Sequence, residues 1–74
     1  MHLLRVTDPS DVERVCSFLT SVRVRAVPDG GGLVSVSVPR ALSALHERRE
    51  LAGCVATWNA LNPASPVELV EPPA

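Results

Sequence analysis

Arg48-Arg49-Glu50-Leu51, Trp58, Ala60-Leu61, Pro63 and Val67-Glu68-Leu69-Val70 make up the stretch that decides the fold. Within it, Leu51, Cys54, Val55, Trp58 and Leu61 recur at three and four residues, the period of a helix with one apolar face. Asn62-Pro63-Ala64-Ser65-Pro66 ends that helix, because proline cannot continue the hydrogen-bond ladder. Val67 to Val70 then reads as a short closing strand. The start of the helix is weakly marked and falls between Pro39 and Ser43, since Leu42 and Leu45 do not share a face with the later stripe.

Upstream the same plan appears once more. Leu3 to Val6 is an apolar run that reads as a first strand. Asp8-Pro9-Ser10-Asp11 is a helix start: Asp8 can cap, Pro9 suits the first helical position, and Asp11 suits the positive end of the dipole. Ser10 with Glu13 offers a second capping register. Val12, Val15, Cys16, Leu19 and Val22 form an apolar stripe, with Phe18 at its flank. From Val22 the period changes to two, so Val22 to Ala26 is predicted as a strand with Arg23 and Arg25 on its wet side. Pro28-Asp29-Gly30-Gly31-Gly32 turns the chain, and Val34, Val36 and Val38 alternate with Ser35 and Ser37 up to Pro39. Two alternating runs around a glycine-rich turn predict a β-hairpin.

The order is therefore β-α-β-β-α-β. It predicts an α+β, ferredoxin-like sandwich: one domain over residues 1–70, a four-stranded antiparallel sheet, both helices on one face, and a frayed tail at 71–74. Right-handed crossovers place the first and third strands in the centre.

A chain of 74 residues makes one small domain. Such a domain buries only about 60% of the surface its unfolded form exposes, so its core is marginal and a second copy is a natural source of further burial. All seven basic residues are arginine, and lysine, isoleucine, tyrosine and glutamine are absent. Lysine, isoleucine and tyrosine have AT-rich codons, so the bias points to a high-GC bacterial genome. A net charge of −1 gives no bulk electrostatic case for nucleic acid or an anionic membrane. Met1-His2-Leu3-Leu4-Arg5 lacks the pattern of a signal peptide, and no run approaches a membrane span, so the expected location is the cytoplasm. Cys16 and Cys54 have no metal or redox spacing and read as thiols beside the apolar stripes.

If the helices cover one side of the sheet, alternation exposes Leu3, Arg5, Arg23, Arg25, Val27, Leu33, Ser35, Ser37, Glu68 and Val70 on the other. This face has no aromatic side chain on which a base could stack, which argues against single-stranded nucleic acid. Its arginines beside apolar groups suit a protein contact or a sheet-to-sheet homodimer, and equally a solvated face. Leu3, Arg5, Arg23, Arg25, Val27 and Leu33 are the candidate protein-contact residues.

Catalytic and cofactor chemistry find little support. Gly30-Gly31-Gly32 joins two strands rather than a strand and a helix N-terminus, so it is a hairpin turn and not a phosphate loop. His2 and His46 show no ligand spacing and read as surface histidines, leaving no predicted metal or cofactor. Glu47, Arg48, Arg49 and Glu50 read as a solvated charge run, and Gly53, Ala56 and Ala60 as the small outer side of the second helix.

Leu3-Leu4-Arg5-Val6-Thr7-Asp8, Phe18-Leu19, Val36-Ser37-Val38-Pro39, Arg48-Arg49-Glu50-Leu51, Trp58, Ala60-Leu61, Pro63 and Val67-Glu68-Leu69 together resemble a family of small uncharacterised proteins of high-GC bacteria. Gly53, Cys54 and the long glycine turn depart from it. The resemblance implies the fold and transfers no site residue. More distantly, the element order resembles ACT-type ligand-sensing domains and heavy-metal-associated domains. The metal reading fails for want of a Cys-x-x-Cys loop, and an acylphosphatase reading for want of a phosphate cradle after the first strand. The expectation is a non-enzymatic module that contacts a protein partner or itself. The alternative is an ACT-like sensor holding an amino acid or similar small-molecule effector at a dimer seam.

Overall fold

The computed structural model describes residues 2–70. Its elements are β1 (His2–Val6), α1 (Val12–Ser21), β2 (Arg25–Gly30), β3 (Leu33–Ser37), α2 (Ala44–Leu61) and β4 (Val67–Val70), with a 3₁₀ turn over Pro9–Asp11 ahead of α1. The sheet is antiparallel with strand order β2-β3-β1-β4, so the first and third strands are central, as predicted. This is the α+β, ferredoxin-like arrangement. The predicted tail at 71–74 lies outside the described residues.

Leu4 and Val6 of β1, Val34 and Val36 of β3 and Val67 of β4 face the helices and join Val15, Leu19, Leu51 and Trp58 in one buried cluster. Both helices therefore lie on the same side of the sheet. Phe18 meets Trp58 edge to face, with ring centroids 5.5 Å apart, and the indole Nε1–H donates to the Ser65 carbonyl at 2.8 Å. A buried Trp thus keeps its polar handle satisfied.

The predicted second strand, Val22 to Ala26, is corrected. Val22 and Arg23 end α1 instead. The Val24 N–H donates to the Leu19 carbonyl and the Arg23 N–H to the Thr20 carbonyl, with Arg23 left-handed at φ 66°. These two bonds make a Schellman cap, and Val24 packs beside Leu19 in the core as that motif favours. Arginine is a rare residue at the left-handed position, so its type gave no warning of a helix end. Strand β2 starts at Arg25 and runs on through Pro28 to Gly30.

The hairpin is also tighter than its five-residue turn signal suggested. Gly30 pairs with Leu33, leaving Gly31 and Gly32 as the loop, at φ 60° and 79°. Positive φ at both positions is the turn whose twist matches its strands. The Gly32 carbonyl accepts the Val6 N–H at 2.7 Å, which ties the loop to the end of β1.

Ser43 caps the start of helix α2, its hydroxyl accepting the His46 N–H at 3.1 Å. Its buried stripe differs from the prediction at both ends. Leu61 is 68% exposed, while Glu47, assigned to a solvated charge run, is only 9% exposed. Glu47 lies four residues before Leu51 and so shares its face.

Candidate interaction face of the sheet

Strand register lays out the open side of the sheet as a grid. One row runs Val27, Ser35, Leu3, Val70 across β2, β3, β1 and β4. A second runs Leu33, Arg5, Glu68 across β3, β1 and β4. A third holds Arg25 opposite Ser37. Because Ala26, Val34, Leu4 and Leu69 turn inward, each of these neighbours turns outward. Five of the six candidate contact residues, Leu3, Arg5, Arg25, Val27 and Leu33, therefore share this face. Arg23 does not: it sits in the cap of α1, off the sheet.

The middle row is apolar but for Ser35, and charge stands at two opposite corners, Arg25 and Glu68, and at Arg5 on the central strand beside Glu68. Val27 is 55% exposed, while Leu3, Leu33 and Val70 are half-buried by their neighbours. Arg5 lies directly opposite Glu68, yet among the described residues Arg5, Arg25 and Glu68 enter no ion pair. Both aromatic rings sit in the helices on the other side.

Both edges of the sheet are blunted. Pro28 removes a donor from the β2 edge, and the register shift between Pro28 and Gly30 bulges the strand at Asp29. At the other edge the Asn59 carboxamide engages Val67 twice, accepting its N–H at 2.8 Å and donating to its carbonyl at 3.1 Å. At Val67 a side chain of α2 thus takes the place of a neighbouring strand's backbone. Edges treated this way resist strand addition.

The polar groups that sequence reasoning missed lie on the helical side and hold it together. The Glu47 carboxylate accepts the Val38 N–H at 2.9 Å and lies 2.7 Å from His2 Nδ1. The Val38 amide, and then His2, hold its pKa below the ordinary glutamate value against the opposing effect of burial. A carboxylate in this state only accepts, so Nδ1 of His2 carries the hydrogen. His2 is therefore a half-buried clamp between β1 and α2 and not the surface histidine the sequence suggested. The signal was present in the four-residue spacing from Glu47 to Leu51, but a glutamate beside two arginines reads as solvent-facing.

A second network closes the opposite end. Ser65 Oγ donates to Asp11, and Arg14 bonds both Asp11 and Asn62, each at 2.9 Å. The Arg14 guanidinium also lies 5.4 Å from the Trp58 ring centroid. The Ser65 hydroxyl, then Arg14, lower the Asp11 pKa. Cys16 and Cys54 are free and half-buried, and burial followed by the charges of Glu13 and Glu50 raises their thiol pKa values. Both thiols are therefore further from the reactive thiolate form than an ordinary cysteine.

Val38, Arg40, His46 and Glu50 line an open cleft of about 140 Å³. Small-molecule sites typically enclose about 300–1,000 Å³. His46 Nδ1 accepts the Leu42 N–H at 3.2 Å, and Nε2 lies 3.3 Å from Glu50, so its ring is engaged locally. Among the described residues no group of three or more His, Cys, Asp or Glu could hold a metal ion, and no helix is long and apolar enough to cross a membrane.

No family model, no curated protein and no solved structure matches this chain. The resemblance drawn from sequence accordingly brings no residue role to the face, and its chemistry rests on the geometry alone.

Proposed function

We propose that this chain is a non-enzymatic contact module that binds protein through the open face of its sheet. The observation that carries the reading is the pairing of a sheet face that no described element covers with two blunted edges. Val27, Leu3, Leu33 and Val70 supply apolar area there, and Arg5, Arg25 and Glu68 supply charge that enters no ion pair among the described residues. Apolar centres with charged margins are the composition of protein interfaces. We place the module in the cytoplasm, in keeping with its two free, half-buried thiols.

A photoreactive amino acid substituted for Val27 in the cells that make the protein tests this directly. Adducts with protein are expected at that position and not at Ala56, which lies exposed on the outer side of α2. No adduct at Val27, or the same adducts from both positions, refutes the reading.

A further inference from the structure

We propose that the occupant of the open face is a second copy of this chain, stacked sheet on sheet with the strands of the two copies crossing near a right angle. The inference rests on the contact reading above and adds the partner and its geometry.

Arg25 lies on edge strand β2 and Glu68 on the opposite edge strand β4, three strand spacings away. At about 4.8 Å per spacing that is about 14 Å. Along the strands, Arg25 stands level with Ser37, and Glu68 stands level with Arg5 and Leu33, four residues from Ser37. At about 3.3 Å per residue that is about 13 Å. The two charges therefore occupy opposite corners of a nearly square patch, and among the described residues neither enters an ion pair.

A two-fold axis lying in the plane of the face, perpendicular to that diagonal, exchanges the two corners. It sets Arg25 of each copy over Glu68 of the other, forming two equivalent ion pairs. Because the patch is nearly square, the same operation turns the strands of one copy across those of the other. Orthogonal crossing is one of the two ways sheets pack face to face. The operation also brings Val27 over the interval between Leu33 and Arg5 of the second copy, and it keeps Leu3 and Ser35 close to the axis. Leu3 and Ser35 thus meet at the centre and Arg25 meets Glu68 at the corners, with Arg5 of each copy landing between Val27 and Arg25 of the other. An aligned stacking would leave Arg25 and Glu68 about four residues out of step. A closed two-fold contact of this kind is self-complementary and ends at the dimer.

The corner pairs are exposed, so they fix register more than they add affinity. The patch is small, below the roughly 1,200 Å² of standard interfaces, so the dimer is weak and the measurement must reach millimolar chain.

The test is solution mass over a concentration series for the wild type, Arg25→Glu, Glu68→Arg, their equimolar mixture, and the double variant R25E/E68R. Circular dichroism verifies that each is folded, which is expected for exposed strand positions. The wild type should dimerise with rising concentration. Each single variant places like charges at both corners and should weaken dimerisation at least tenfold. The mixture should recover it as a heterodimer, and the double variant as a homodimer. Single variants that dimerise like the wild type, or lost dimers that neither the mixture nor the double variant recovers, overturn the geometry. A wild type that stays monomeric at every concentration overturns the second copy as occupant, and adducts at position 27 would then show that the contact reading survives it.

Discussion

Trp58 links α2 to α1 and to the turn before β4. It is buried against Phe18, donates to Ser65, and lies under the Arg14 guanidinium. Truncating a buried tryptophan costs about 3–5 kcal/mol, against the 5–15 kcal/mol that holds a typical domain together. Trp58→Ala should therefore abolish the cooperative thermal transition followed by circular dichroism. A sharp melt within a few degrees of the wild type would place the residue outside the core. Its role was legible because tryptophan fell on a helical stripe of period three and four. Glu47 fell on the same stripe and was misread, because residue type outweighed position. What reverses that reading is the pair of partners, Val38 and His2, which are 9 and 45 residues away. Arg23 is the complementary case: its backbone conformation follows from the packing of Val24 beside Leu19, and its side chain carries no trace of it.

At the scale of elements, the hairpin was the most readable feature, and its two-residue loop is the place to probe it. A Cβ at Gly32 would meet the Val6 carbonyl oxygen at 3.1 Å, and the residue already stands at φ 79°. Gly32→Ala combines left-handed strain with a close approach and should cost at least about 1–2 kcal/mol, read as a lower urea midpoint. At Gly31 a Cβ meets nothing within 4 Å, so Gly31→Ala carries the φ strain alone and should cost less. Equal losses at the two positions would show that the contact with β1 adds nothing. The boundaries of β2 were less readable. Alternation of valine and arginine from Val22 to Ala26 satisfies a strand pattern, yet the first two residues cap a helix. Periodicity over so few residues cannot separate the two outcomes, because a Schellman cap also ends in a buried apolar side chain.

For the molecule as a whole, the two carboxylates that join distant elements set its response to acid. Hydrogen bonding holds both Glu47 and Asp11 below their ordinary pKa values in the folded chain. Their contribution is thus fully present above the unfolded-state value of about 4 and is lost as pH falls through the folded values. Urea stability should fall as the solution is acidified below about pH 5. Glu47→Gln should be less stable at neutral pH and lose less on acidification. If its stability runs parallel to the wild type across the whole range, Glu47 contributes no part of the acid response.

The sequence by itself determined the element order, the hairpin, the apolar stripes of both helices apart from the exposed Val22 and Leu61 and, through strand alternation, nine of the ten residues assigned to the open face. These are local properties, set by side-chain period and by turn residues within about ten positions. Only the tertiary structure decided the cap at Arg23, the burial of Glu47 and His2, the covering of β4 by Asn59, and the corner placement of Arg25 and Glu68. Each of these depends on groups brought together across the chain, where hydrogen-bond satisfaction and strand register, rather than local propensity, select the conformation.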